Sequence, residues 1–260
     1  MIKFPNHIPA ALIGTAIVWV QPQFAVALTN LVVAQQPTVQ NLINSARIKA
    51  EKGDYQGAIA DLTQALQLSP NNAESYHRRA NAYYQLENYQ GAIADYNQAI
   101  QLNPDDVKAY YNRGITHSHL GDYQGAIADF NQAIQLNPDF AAAYYNRGLA
   151  RFNLGDDQGA IADYNQAIKL NPDYAIAYNN RGVARSNLGD DQGAIADFNQ
   201  AIQRNPDNAN VYYNRGVAYL NLGDQPKALE DFRQAATLFQ QQGNTEIYQY
   251  IQQIIRRLEP

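Results

Sequence analysis

The chain has 260 residues, a net charge of −5 and no cysteine. The acidic balance, with no basic stripe, argues against nucleic acid as a partner. The lack of Cys excludes disulfides and thiolate metal sites, and leaves the redox state of the compartment open.

At the amino terminus no charged side chain occurs between Lys3 and Arg47. Residues 8–20 form an apolar run of the length of a signal-peptide core, short for a membrane span. Ala25-Val26-Ala27 and Val32-Val33-Ala34 each offer a small-x-small cleavage site. Residues 1–34 therefore read as an export signal, or as an uncleaved anchor if residues 8–34 cross a bilayer. Either way the rest of the chain is expected in an exported setting, the periplasm or an equivalent lumenal space, and any membrane contact runs through that uncleaved segment.

From residue 39 onward the sequence repeats itself. Asn112-Arg113-Gly114 recurs at Asn146, Asn180 and Asn214, and prolines at 70, 104, 138, 172 and 206 keep the same 34-residue interval. A period of this length marks a solenoid of supersecondary units, a ribbon of small cores in place of one large one. In the unit that contains Asn112, Tyr110, Gly114 and His117 share one helical face. Gly121-Asp122 ends that helix and caps the next, on which Ala126, Phe130 and Ala133 repeat the spacing until Asn137-Pro138. Six units are expected at about 39–70, 73–104, 107–138, 141–172, 175–206 and 209–240. The first is degenerate, with Ser45-Ala46 where later units carry Arg-Gly. Residues 244–258 form an amphipathic helix suited to capping the stack.

These residues resemble the tetratricopeptide repeat (TPR) family. Its aromatic, Leu-Gly and Tyr slots hold Tyr144, Arg147-Gly148 and Arg151, and its Ala, aromatic, Ala and Pro slots hold Ala160, Tyr164, Ala167 and Pro172. The resemblance implies an all-α, right-handed α-solenoid whose first helices line a concave groove. One departure is systematic: the family's Leu is Arg79, Arg113, Arg147, Arg181 and Arg215 in successive units. A buried Arg needs a partner, and Asp95, Asp129, Asp163, Asp197 and Asp231 on the second helices of the same units are the nearest candidates, with the Asp of the preceding unit as the alternative.

Chemistry-bearing groups are sparse. His117 and His119 are two apart on a helix and face different ways, so they cannot chelate one metal, and His77 and His7 stand alone. There is no supported triad and no phosphate loop, and Asp156-Asp157 and Asp190-Asp191 cap helix starts. No enzyme, cofactor or metal is expected.

What remains is the groove. Asn112, Asn146, Asn180 and Asn214 form a column of amides on the first helices, with Asn81 and Lys108 towards the amino-terminal end and Asn153 and Asn187 further along the stripe. Arg78 with Lys108 adds a basic end, a partial match to the family's carboxylate clamp. Tyr111, Tyr145 and Tyr213 sit beside the stripe. An Asn pairs with a peptide backbone whatever its sequence. The expected function is thus a monomeric adaptor or assembly scaffold that holds an extended segment of another protein. Two alternatives stay open: the amides and tyrosines tie neighbouring helices together, or the molecule is a spacer or self-assembling rod that makes contacts through its ends and cap helix.

Overall fold

The computed structural model describes residues 37–259, and the signal or anchor reading falls on residues outside that span. Among the described residues the chain forms thirteen α-helices and no strand: α1 (Val39–Glu51), α2 (Tyr55–Leu68), α3 (Ala73–Gln85), α4 (Tyr89–Leu102), α5 (Val107–His119), α6 (Tyr123–Leu136), α7 (Ala141–Asn153), α8 (Asp157–Leu170), α9 (Ala175–Asn187), α10 (Asp191–Arg204), α11 (Ala209–Asn221), α12 (Gln225–Gln241) and α13 (Thr245–Leu258). The odd helices α1 to α11 open a unit and the even ones close it.

The pair α5–α6 shows how the sequence makes a unit. Gly121 takes φ +75°, open to glycine at no steric cost, and turns the chain back. Asp122 then accepts a hydrogen bond from the Gly125 amide at 2.9 Å and starts α6. In the second unit Glu87 holds the same left-handed conformation with φ 58°, the one non-glycine residue among those described to do so. On α6 the stripe Ala126, Phe130 and Ala133 is fully buried. Burial of a ring like Phe130 stabilises by roughly 1.5–3 kcal/mol. It packs against Gly114 of α5, where an added Cβ would lie 2.8 Å from the ring. The close approach of the two helices depends on that missing side chain.

Helices pack on their immediate neighbours in the chain, and each first helix also approaches the first helix of the next unit. Second helices do not approach one another. The stack is therefore curved, with the first helices on the inside. Burial is divided among six small clusters along the ribbon. At the carboxyl end α13 buries Ile251 and Ile255 against Leu238 and Phe239 of α12, and leaves Tyr250 exposed.

Each arginine of the repeat is clamped by the Asp of its own unit. Arg113 donates from Nε to Asp129 at 2.9 Å and from Nη2 at 2.6 Å. Its Nη1 reaches back to Asn97 on the preceding second helix at 2.6 Å. Arg147, Arg181 and Arg215 repeat this with Asn131, Asn165 and Asn199, and Arg79 uses Thr63. The preceding unit thus supplies a neutral acceptor and no second carboxylate. Beneath each guanidinium lies the tyrosine three residues earlier, with Tyr144 centred 5.4 Å from Arg147. That contact explains the column Tyr76, Tyr110, Tyr144, Tyr178 and Tyr212.

Candidate functional site

The inner face is crossed by a ladder of hydrogen bonds between successive first helices. Asn146 donates from Nδ2 to the Tyr111 hydroxyl at 2.9 Å, and Asn180 to the Tyr145 hydroxyl at 3.1 Å. The rungs at either end change chemistry but keep the register. Asn112 donates to Asn81 at 3.1 Å and lies 3.3 Å from His77, and Asn214 donates to Asn179 at 3.0 Å. The Asn and Tyr columns are therefore joined, and each amide has its NH2 group committed to the helix before it. The Oδ1 atoms of Asn112 and Asn146 have no donor among the described residues and stay available to a ligand.

Tyr145 is buried, and its ring lies over Tyr164 and against Tyr174. Tyr111 does the same with Phe130 and Phe140. Burial holds both hydroxyls above the usual tyrosine range. Phe140 and Tyr174 stand at helix N-caps, where a side-chain acceptor is the norm, and make no cap bond. Asp106 in the equivalent slot both caps α5 and pairs with His77 at 2.8 Å. Tyr213 packs on Phe232, with ring centroids 5.7 Å apart, in the cluster that the cap helix closes.

The other predicted residues are spread along the same face. Asn153 is exposed and bonds the Leu149 carbonyl at 2.8 Å, while Asn187 donates to Asp157 at 3.2 Å. Lys108 is exposed at the start of α5. Arg78 is engaged by Glu74 at 2.7 Å, and Asn81 accepts from both Tyr96 and Asn112. The basic end that the sequence suggests is thus reduced to Lys108.

Between the rungs lie shallow hollows. The first, of about 260 Å³ between α1 and α3, is charged, with Arg47, Glu51 and Arg78 in its lining beside Asn81; the three that follow are not. One is lined by Asn81, Tyr84, Tyr96, Asn112 and Ile115 and holds about 300 Å³. Ile115, His119, Tyr123, Asn146, Leu149 and Asn153 enclose the next, of about 270 Å³. The third, about 90 Å³, is bounded by Leu149, Phe152, Asn180 and Val183. Ile115 and Leu149 serve as shared walls, so the three are contiguous. No Asp, Glu, Lys or Arg lines them. Their aromatic rims escaped the sequence reading: Tyr84, Tyr89 and His119 form a cluster, with Tyr89 stacked on His119 at 5.4 Å. The signal lay in Tyr84 and Tyr89 flanking a helix end, one period before Ser118 and Tyr123.

No group of His, Asp or Glu among the described residues is placed to hold a metal ion. None of the described helices is long and apolar enough to cross a membrane.

Comparison with known proteins gives the following. A family model for the tetratricopeptide repeat matches residues 81–144, a second, for the TPR repeat, matches 46–87, 150–189 and 184–223, and a third, for the tetratricopeptide repeat, matches 209–242. No curated protein matches the chain. Among solved structures it is similar to MamA, with 26% identity over 66% of this chain and 94% of that one and a TM-score of 0.62. YrrB, a TPR protein with an unusual peptide-binding site, shares 25% identity over 68% of this chain and 91% of its own, with a TM-score of 0.60. A tetratricopeptide repeat protein from Parabacteroides merdae covers 91% of this chain and 90% of its own, at 24% identity and a TM-score of 0.59.

Proposed function

Because the chain belongs to the tetratricopeptide repeat family, whose architecture is that of a protein-interaction scaffold, we propose that its inner face binds an extended segment of another protein. The observation that carries this reading is the row of three contiguous, uncharged hollows on the inner face, each edged by an amide of the Asn column. An elongated ligand meets an amide and an aliphatic wall at each of these steps, and short contacts add along its length. The peptide-binding site of YrrB lends support by similarity. The amides play two parts in this reading: the NH2 groups tie the first helices together, and the carbonyl oxygens of Asn112 and Asn146 are left for the ligand.

A second reading rests on Ile247 and Tyr250, which are exposed on the cap helix and suit contact with another copy. Light scattering at high concentration separates the two, since a chain that stays monomeric leaves only the groove. The uncharged segment before Arg47 supports export, and amino-terminal sequencing of the mature protein tests it: a start at Leu28 or Gln35 means a cleaved signal.

Photocrosslinking in cells tests the groove. A photoreactive residue in place of Asn153, exposed on the inner face, should capture a protein that the same residue in place of Gln132, exposed on the second helix α6, does not. Equal capture from both faces overturns the reading.

A further inference from the structure

One rung of the ladder holds a histidine where later units hold a tyrosine. His77 stands in the place of Tyr111 and Tyr145, and Asp106 in the place of Phe140 and Tyr174. The two changes come together and build a chain of bonds across α3, α4 and α5. Asp106 Oδ2 lies 2.8 Å from His77 Nδ1, so the proton of the neutral ring sits on Nδ1 and Nε2 is left as an acceptor. Asn112 donates to it from Nδ2 at 3.3 Å and gives its second hydrogen to Asn81 Oδ1 at 3.1 Å. Asn81 Oδ1 also accepts from the Tyr96 hydroxyl at 2.6 Å. The Asn112 carbonyl oxygen is left without a donor among the described residues, in the hollow that Asn112 lines with Asn81, Tyr84 and Ile115.

That arrangement holds only while Nε2 carries no proton. Histidine is the side chain that changes charge between about pH 8 and pH 5, and Asp106 accepts from Nδ1 in either state. A protonated Nε2 points its N–H at the Asn112 NH2 group, donor against donor. A half-turn of the amide relieves this: Oδ1 accepts from Nε2, and the NH2 group takes the place of the carbonyl oxygen in the hollow. The helices α3 and α5 stay joined, since His77 and Asn81 both belong to α3. The other rungs of the Asn column lack such a group. Burial holds the Tyr111 and Tyr145 hydroxyls above the usual tyrosine range, and the Asn214 rung ends on Asn179.

The charged groups around His77 are otherwise paired or exposed. On α3, Glu74 is held by Arg78 at 2.7 Å, and Arg79 by Asp95 of α4. Tyr96 of α4 meets the imidazole edge-on, with centroids 5.8 Å apart. Asp105 and Lys108, on either side of Asp106, are exposed. Asp61 of α2 is held by Lys49 at 2.7 Å. In the charged hollow beyond Asn81, Arg47 is held by Glu51 and Arg78 by Glu74, so that hollow borders the network without bonding to it. His117 and His119 of α5 bond Asp122 and Tyr84.

Resting on the groove reading above, we propose that protonation of His77 turns the Asn112 amide, so that this one step of the groove accepts an N–H from its ligand at higher pH and offers N–H groups at lower pH. A protein segment that donates to Asn112 loses that bond on acidification and binds at least about fivefold more weakly. Asn146 keeps its carbonyl oxygen, so the neighbouring step is unchanged.

The test is NMR of the full chain at pH 8 and pH 5. Exchange of the side-chain amide with water is measured for Asn112 and, as a reference in the same sample, for Asn146, whose NH2 group is held by Tyr111 and the Ala142 carbonyl. The ratio of the two rates should rise at least about fivefold as the His77 ring gains its proton. His77→Tyr, with an unchanged circular dichroism spectrum, should hold the ratio constant. The full chain with a photoreactive residue in place of Asn153, irradiated in cell extract, should capture its partner at least about fivefold less at pH 5 than at pH 8. With His77→Tyr added, capture should be equal at the two values. A flat ratio, or a His77 that keeps one charge throughout, overturns the proposal and leaves the groove reading standing. So does a ratio that rises without a change in capture, or a pH dependence that persists in His77→Tyr. Equal capture from Asn153 and Gln132 overturns both.

Discussion

Replacing one arginine of the repeat by leucine should cost different amounts in different units, and the structure orders them. Asp95 is 8% exposed and its cationic partner is Arg79, at 2.6 Å and 2.9 Å. Asp163 is 3% exposed but is also held by Arg151 Nη1 at 2.9 Å, and Asp197 likewise by Arg185 at 2.8 Å. Asp129 has His117 3.8 Å away in the same place. Removing one partner of a buried pair strands the other charge, at about 3–5 kcal/mol. Arg79→Leu should lose stability on that scale. Arg147→Leu leaves Asp163 a cation and should lose about 1–3 kcal/mol, the size of the hydrogen bonds broken. Leucine is the side chain that the family places in this slot, so a steric clash is not expected to add to either value. Arg79→Leu combined with Asp95→Leu should recover most of the loss, because no charge is left unpaired. Urea unfolding gives the ranking. Repeat arrays can lose two-state behaviour, so hydrogen exchange of α3 and α4 amides against α7 and α8 provides a local readout. Equal losses at Arg79 and Arg147 would refute the idea that the second cation supports the aspartate.

The glycines of the first helices give a sharper contrast. A Cβ at Gly148 would lie 2.8 Å from the Tyr164 ring, so Gly148→Leu should destabilise by about 1–3 kcal/mol through overpacking. Gly148→Ala sets only that Cβ against the ring, so it should lose less than Gly148→Leu in the same unfolding assay, with about 1 kcal/mol of helix propensity offsetting part of the crowding. Alkaline pH should destabilise the stack. Burial holds Tyr96, Tyr111, Tyr145, Tyr164 and Tyr174 above the ordinary value of 10.0. Above that pH the unfolded chain loses protons that the folded chain keeps, so stability is full below pH 10.0 and falls as pH rises through the higher folded values. Unfolding midpoints measured against pH should show the decline, and Tyr164→Phe should make it shallower.

Much of this was legible because the period repeats each local signal. The Gly-Asp turn, the Ala126, Phe130 and Ala133 stripe and the Asn-Pro stop each recur down the chain, and the pairing of Arg with the Asp sixteen residues on follows from an apolar slot filled by a charge. The partner of the Asn column was not legible in the same way. Its rung spans 35 residues, one more than the period, so it joins two different columns and a search within one column misses it. The aromatic caps Phe140 and Tyr174 were hidden for a second reason. Capping rules judge a residue by its own helix, and these two serve the tyrosine of the preceding unit. The hollows depend on the gap between helices, a distance that only the packed stack defines.

The locality of the packing bears on how such a chain folds and how its length can change. No side-chain hydrogen bond among the described residues spans more than 35 positions. The relative contact order is correspondingly low, so loop closure costs little and folding can begin in any unit and spread to its neighbours. The same arithmetic governs insertion and deletion. Removing residues 138–171, one whole period, joins Asn137 to Pro172 and preserves the Asn-Pro turn. Arg181 would then meet Asn131 where it had Asn165, and Asn180 would meet Tyr111 where it had Tyr145. A deletion shorter by one residue would break the turn and leave every later rung out of step with the helix before it. Length in this molecule changes in whole units, and each change adds or removes one rung of the ladder.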